Sequence, residues 1–323
     1  MKKTILNGAI FITLLFQALV SSAHNNVVVI PLLGDEQSKL QNVITVAKSG
    51  GNFSDPVKAI DSISDAGQSN PYIIVIAPGI YDIDSPINLK PGVNILGSGK
   101  TATTIRSQGN TSPVFSYSNS LPPSKITVSG LRVEHLGPVH ALGFSGSAEG
   151  LIIKDVAIAV SATSSSIGIF DSFNPISLTI DSVDIISRSS NAMGISLARS
   201  WNVDLKRSTI DTNGGNSSIG IRFWEARHLK ITNSEVMAVG SRSMGVLEVD
   251  GVSALSTELL EISRSSVSGS VAGVRRLSDT GETRISQSTM SGRFFDTSNS
   301  GMEFCIASDN AEGALIPSNC ISP

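Results

Sequence analysis

From Ile126 onward the chain alternates apolar and polar residues in runs of three to five, separated by Ser, Asn, Asp and Gly. Alternation at a period of two marks strands with one buried face. The runs recur. Ile126-Thr127-Val128, Leu151-Ile152-Ile153, Leu178-Thr179-Ile180 and Val203-Asp204-Leu205 align, and Leu229-Lys230-Ile231, Leu260-Glu261-Ile262 and Thr283-Arg284-Ile285 continue the series. Successive starts lie 25, 27, 25, 26, 31 and 23 residues apart. Seven residues after each start stands another apolar residue: Val133, Ile158, Ile185, Ile210, Val236, Val267 and Met290. An independent marker, a glycine between apolar or small residues, recurs at Gly143, Gly168, Gly194, Gly220, Gly245 and Gly273.

A unit of a few short strands cannot bury its own apolar side, but a stack of units can. A repeat of about 25 residues also suits leucine-rich repeats. The Leu-x-x-Leu-x-Leu frame and helical segment of those repeats are missing here. The pattern therefore predicts an all-β fold: a single-stranded right-handed parallel β-helix over about 43–300, whose inward positions include Ile195 and Ile221. Two outward columns support the register. Asp204, Lys230, Glu261 and Arg284 alternate in sign down one, and Lys154, Asp181 and Lys206 down the other; opposite charges on neighbouring strands attract. A third column changes from Leu131, Val156 and Val183 to Ser208, Ser234, Ser265 and Ser288. It reads either as a stacked serine ladder at a bend or as exposed turn residues.

Upstream, Val43–Ala47 reads as a strand. Asp55-Pro56 starts a short helix with Asp as cap, and Val57, Ile60 and Ile63 share a face with Ala59 and Ala66. This helix is expected to cover the open N-terminal end of the stack. Tyr72–Ala77 and Val93–Leu96 are further strands, between turns at Pro78-Gly79 and Pro91-Gly92. The stretch 43–106, with Ile73-Ile74-Val75-Ile76-Ala77-Pro78-Gly79-Ile80-Tyr81 and Val93-Asn94-Ile95-Leu96-Gly97-Ser98-Gly99, resembles the opening coils of the pectin lyase-like superfamily. It is most similar to its pectinesterase branch. The resemblance implies the fold. The catalytic motifs of pectinesterases, polygalacturonases and pectate lyases are absent, and the Glu of Gly-x-Tyr-x-Glu is replaced in Gly79-Ile80-Tyr81-Asp82-Ile83. No catalytic residue carries over, and fold alone does not give function.

The first 23 residues read as a secretory signal: Lys2 and Lys3, an apolar run from Ile10 to Val20, then Ser21-Ser22-Ala23. The run is shorter than the roughly 20 residues that span a bilayer, so no membrane span is expected after cleavage. Residues 24–42 form an N-terminal segment in which Val27–Ile30 either adds a strand to the first coils or pairs with another chain. Residues 301–323 are expected to cap the C-terminal end. Cys305 and Cys320, the only cysteines, are expected to form a disulfide in an oxidising compartment.

Only 16% of residues are charged, and the formal net charge is −3. No basic stretch suggests a nucleic-acid partner. The 53 serines carry no nucleophile signature. His24, His135, His140 and His228 show no paired metal spacing, His135 and His140 stand five apart in an expected turn, and no cofactor is implied. The densest aromatic and charged cluster is Arg199, Trp201, Arg222, Trp224, Glu225, Arg227 and His228, which includes both tryptophans. Coil register places Trp201 beside Arg227, an Arg–indole stack. Glu225 with His228 offers acid–base groups. Two functions follow: a secreted, non-catalytic scaffold that binds a glycan or a cell-surface partner, or a divergent enzyme acting on uronic-acid polysaccharides.

Overall fold

The computed structural model describes residues 42–109, 113–117, 125–146, 150–171, 177–198, 202–224, 227–249, 259–276, 282–296, 303–306 and 309–310. Each coil lays three segments against the next coil, always in parallel. The segments stack in three columns, here sheets A, B and C. Sheet A runs from Val43–Val46 through Tyr72–Ile76 and Val93–Gly97 to Ser177–Asp181, Asn202–Lys206, His228–Thr232, Leu259–Ser263 and Glu282–Ser286. Several strands bend through a corner, as Thr209–Trp224 does from sheet B into sheet C. All described strands therefore join one 24-stranded sheet. The result is a parallel β-helix, wound in the right-handed sense that parallel connections take.

The repeat read from the sequence is the observed register. Thr179, Asp204, Lys230, Glu261 and Arg284 are successive partners across sheet A. Ile195 and Ile221 are both buried and directly paired. Phe115 and Phe144, partners in sheet C, stack with ring centroids 4.8 Å apart, which is the spacing of adjacent strands.

The two sequence markers are two sides of one contact. A Cβ built on Gly168 would lie 2.6 Å from the Ile185 Cγ2 and 2.7 Å from the Gly194 carbonyl oxygen. On Gly220 it would lie 2.3 Å from the Val236 Cγ1 and 2.5 Å from the Gly245 carbonyl oxygen. The apolar residue seven places after the next coil's start thus fills the space that each glycine leaves, beside that coil's own glycine.

The corner between sheets A and B turns on one residue per coil in the left-handed region. Gly130 occupies it in one coil, then Asp155, Ser182, Arg207, Asn233, Arg264 and Gln287, with φ from 48 to 66°. For a non-glycine residue this conformation costs about 1–2 kcal/mol. The serine column supplies compensating bonds. Ser208, Ser234, Ser265 and Ser288 are buried, and each Oγ donates to the carbonyl two residues back at 2.8 Å. Each also accepts the backbone N–H of the equivalent residue one coil earlier, at 3.1–3.2 Å. The ladder reading holds, with the hydroxyls bound to backbone rather than to one another.

The N-terminal coil shields its own edge. Thr45 N–H donates to the Asn52 Oδ1 at 2.8 Å, Phe53 N–H donates to the Thr45 carbonyl at 3.1 Å, and Ala47 N–H to the Phe53 carbonyl at 2.9 Å. An open strand edge would recruit other chains. The helix Pro56–Asp61 follows, with Asp55 Oδ1 accepting from Val57 N–H at 2.8 Å. Ala59, Ile60 and Ile63 are buried in the core, and Val57 and Ala66 pack against it. Lys90 Nζ donates to the carbonyls of Ile60 and Ile63 at 2.8 and 2.7 Å, placing a cation at the helix C-terminus.

Larger polar side chains are also buried inside the stack. Arg276 Nε donates to the Glu248 Oε2 at 2.6 Å, and its Nη1 to the Thr283 Oγ1 at 2.7 Å. Tyr117 lies two coils from Asp171 across Gly146. Burial, and then the Asp171 charge, raise the Tyr117 phenol well above its usual range.

Gly220→Ala should cost about 3 kcal/mol through overpacking, whereas Gly215→Ala, where nothing lies within 4 Å, should change stability by well under about 1 kcal/mol; urea denaturation of the pair checks this. Ser234→Ala strands the buried Ser208 N–H and should cost about 1–3 kcal/mol by the same assay. A phenol whose pKa is raised by folding contributes stability that is full below about pH 10 and falls as pH rises beyond it. Wild-type stability should therefore decline above that pH more steeply than that of Tyr117→Phe, read as the midpoint of urea unfolding from pH 8 to 11.

Candidate functional site

The corner between sheets C and A differs from the A–B corner. From Ser177–Asp181 onward the chain takes two residues to pass from a sheet A strand to its sheet B strand, but the C–A links vary widely. Sheet C strands end at Gly146, Ala198, Trp224 and Glu248, and the next sheet A strands begin at Leu151, Asn202, His228 and Leu259. The longest coil owes its length to this corner, between Glu248 and Leu259. Insertions in a solenoid gather on one side, which is often the binding side.

Trp224 ends the strand Thr209–Trp224. Ile221 and Phe223 are fully buried, so the alternating residues Arg222 and Trp224 face outward. The Arg222 Cζ lies 5.1 Å from the centroid of the Trp224 ring, a cation–π stack. Both side chains are half-buried. Arg222 pairs in register with Ser196 and Leu247, and Trp224 with Ala198. Arg227 and His228 follow, both exposed. His228 opens its sheet A strand between Asn202 and Leu259. Arg199, Trp201 and Glu225 lie outside the described residues, and with them the Trp201–Arg227 and Glu225–His228 pairs. The stack that is described joins two residues of one strand.

The outer face of sheet A holds a groove of about 280 Å³ whose lining includes Asn202, His228, Thr179, Asp204, Lys230 and Glu261. The sequence supplied its charge column but no sign of the cavity. Its carboxylates are paired. Lys230 Nζ meets the Glu261 Oε1 at 3.3 Å across neighbouring coils. Lys206 Nζ meets the Asp204 Oδ2 at 3.3 Å along one strand. Further down, Arg284 holds Glu282 in a two-pronged contact at 2.7 and 2.9 Å, which raises the guanidinium pKa further. Asp181 pairs at 2.5 Å with Arg207 at the corner, rather than with its column neighbour Lys206. The sign alternation is present, but only one of these pairs runs down the column, because same-strand partners two residues apart, about 6.7 Å, are also within reach of long Lys and Arg side chains.

His135 is not a turn residue. It lies in the strand Ile126–Leu136, fully buried. Its Nδ1 accepts from Leu142 N–H at 2.9 Å and its Nε2 donates to the Gly109 carbonyl at 2.7 Å, contacts that the Nε2–H tautomer satisfies. His140 is exposed. Among the described residues no three His, Cys, Asp or Glu side chains gather to hold a metal ion, and no helix is long and apolar enough to cross a membrane.

No family profile matches the chain, and no curated protein matches it. Solved structures do. The pectin methylesterase PemA from Erwinia chrysanthemi is 12% identical over 88% of this chain and 94% of its own, with a TM-score of 0.44. The catalytic domain of a GH87 alpha-1,3-glucanase, solved with tetrasaccharides, is 14% identical over 87% of this chain, with a TM-score of 0.49. Geobacillus virus E2 ORF18 is 12% identical over 83% of this chain, with a TM-score of 0.43. The chain spans 62% of the viral chain and 60% of the glucanase chain. The strand register described above establishes the fold independently of these likenesses.

Proposed function

We propose that this is an exported β-helix that binds an acidic polysaccharide on its side without turning it over. The observation that carries the reading is the half-buried, outward-facing Arg222–Trp224 stack, four residues before His228 of the sheet A groove. An indole offers a flat apolar face to a sugar ring, and a guanidinium takes a carboxylate in two-pronged fashion. The same reading includes export by residues 1–23 to the periplasm, the cell surface or the exterior. It also includes a Cys305–Cys320 bridge that ties 301–323 over the last coil.

A second reading rests on one observation: Asp204, Glu261 and His228 share one groove. Two coils set those carboxylates roughly 10 Å apart, near the upper end of the separation used by inverting glycosidases. Their lysine partners favour binding over turnover.

Titration with oligogalacturonate, paired with a product assay, tests both. Trp224→Ala and Arg222→Ala should each weaken binding about tenfold with the melting temperature little changed, and no product should form. Unchanged binding would make the stack architectural. Product whose formation is lost in Asp204→Asn or Glu261→Gln would establish the enzyme instead.

A further inference from the structure

The A–B corner carries a groove of about 750 Å³ across four successive coils, away from the Arg222–Trp224 stack. One wall is the left-handed corner row Arg207, Asn233, Arg264 and Gln287. Guanidinium and amide alternate coil by coil along it. The opposite wall is the register column Thr209, Glu235, Ser266 and Thr289. The floor is the serine ladder, whose hydroxyls already bind backbone. Coil spacing sets neighbouring donors about 4.8 Å apart and the two guanidinia about 9.6 Å apart.

The same corner is covered upstream by the chain itself. Gly99 N–H donates to the Gly130 carbonyl at 2.6 Å. Lys100 reaches the Asp184 Oδ2 at 2.9 Å, three coils below its own. Asp184 is the register neighbour of Thr209. The turn 98–102 therefore leans down the corner and stops where the groove begins.

We infer that this groove is a second glycan site, for a linear chain that lies along the solenoid axis and carries an acidic group on every second sugar. Each guanidinium takes a carboxylate or sulfate, and each amide takes hydroxyls as donor and acceptor. Glu235 decides the alternation. It stands on the coil between the two arginines, where an acidic sugar would be repelled and a hydroxyl would donate to it. Asp181 holds one side of Arg207, so the wall is not a uniform cation stripe. An extended peptide presents same-face side chains about every 6.7 Å, out of step with the guanidinia. The groove lining contains no aromatic residue on which nucleic-acid bases would stack.

The test uses the full mature chain carrying both Arg222→Ala and Trp224→Ala, which removes the stack of the first proposed site. Calorimetric titration compares an oligosaccharide of alternating uronic acid and neutral sugar with oligogalacturonate and a neutral cello-oligosaccharide. The alternating chain should bind tightest. Arg207→Asn and Arg264→Asn should each weaken it about tenfold. Asparagine is chosen because Asn233 already holds this corner conformation at φ 49°, and melting curves verify that the fold is kept. Glu235→Gln should bring oligogalacturonate close to the alternating chain in affinity. Equal binding of the neutral chain, or unchanged affinity in the folded Arg207→Asn/Arg264→Asn double variant, overturns the inference. Either result leaves the Arg222–Trp224 reading untouched.

Discussion

The structure depends on in-register parallel pairing of each coil with the next. Every backbone donor and acceptor in a strand looks along the solenoid axis, so its partner must come from the adjacent coil. A residue therefore meets its own equivalent one coil later. Like stacks on like: Ile195 on Ile221, Phe115 on Phe144, glycine carbonyl against glycine. Shape errors in one coil are passed to both neighbours, which is why the glycine and its branched partner recur together rather than separately.

Corners are where this pairing is hardest to keep. A two-residue turn rotates the N–H of its second residue away from any backbone carbonyl, and the serine hydroxyls fill that gap at the A–B corner. At the B–C corner, inward hydroxyls pair with each other instead, Ser166 with Ser187 and Thr212 with Ser218, both at 2.7 Å, while the buried Ser243 meets the exposed Ser270 at 2.7 Å. In the last coils Arg276 spans from sheet C to Thr283 at the start of sheet A, with Glu248 neutralising it. These buried polar groups are tolerated because each has a hydrogen-bond partner. A serine-rich chain suits such a fold, since short hydroxyl side chains reach the backbone without filling the core.

Outward positions carry no such duty. The C–A corner accommodates links of different length. The Arg222–Trp224 stack and the sheet A groove adjoin it. The A–B corner has fixed geometry, so it presents side chains at regular intervals. One solenoid thus offers both an irregular face and a ruled face, suited to ligands of different periodicity.

The coil period, the inward Ile and Gly columns, the charge columns and the capping helix were all legible in the sequence, because each repeats or follows a local rule of burial and capping. The serine column was visible, but its choice between ladder and exposed turn depended on the distance to the next coil. His135 looked like a turn residue because nothing local showed that Gly109 and Leu142 would close around it. Arg222 and Trp224 were found by their residue types. Their mutual stacking, and the pairing of Asp204 and Glu261 with lysines, required side-chain positions. Periodicity determines which residues share a column, since that is a property of the chain. Which columns enclose a groove, and which charges are already paired there, is decided only by packing between coils, because those contacts join residues remote in sequence.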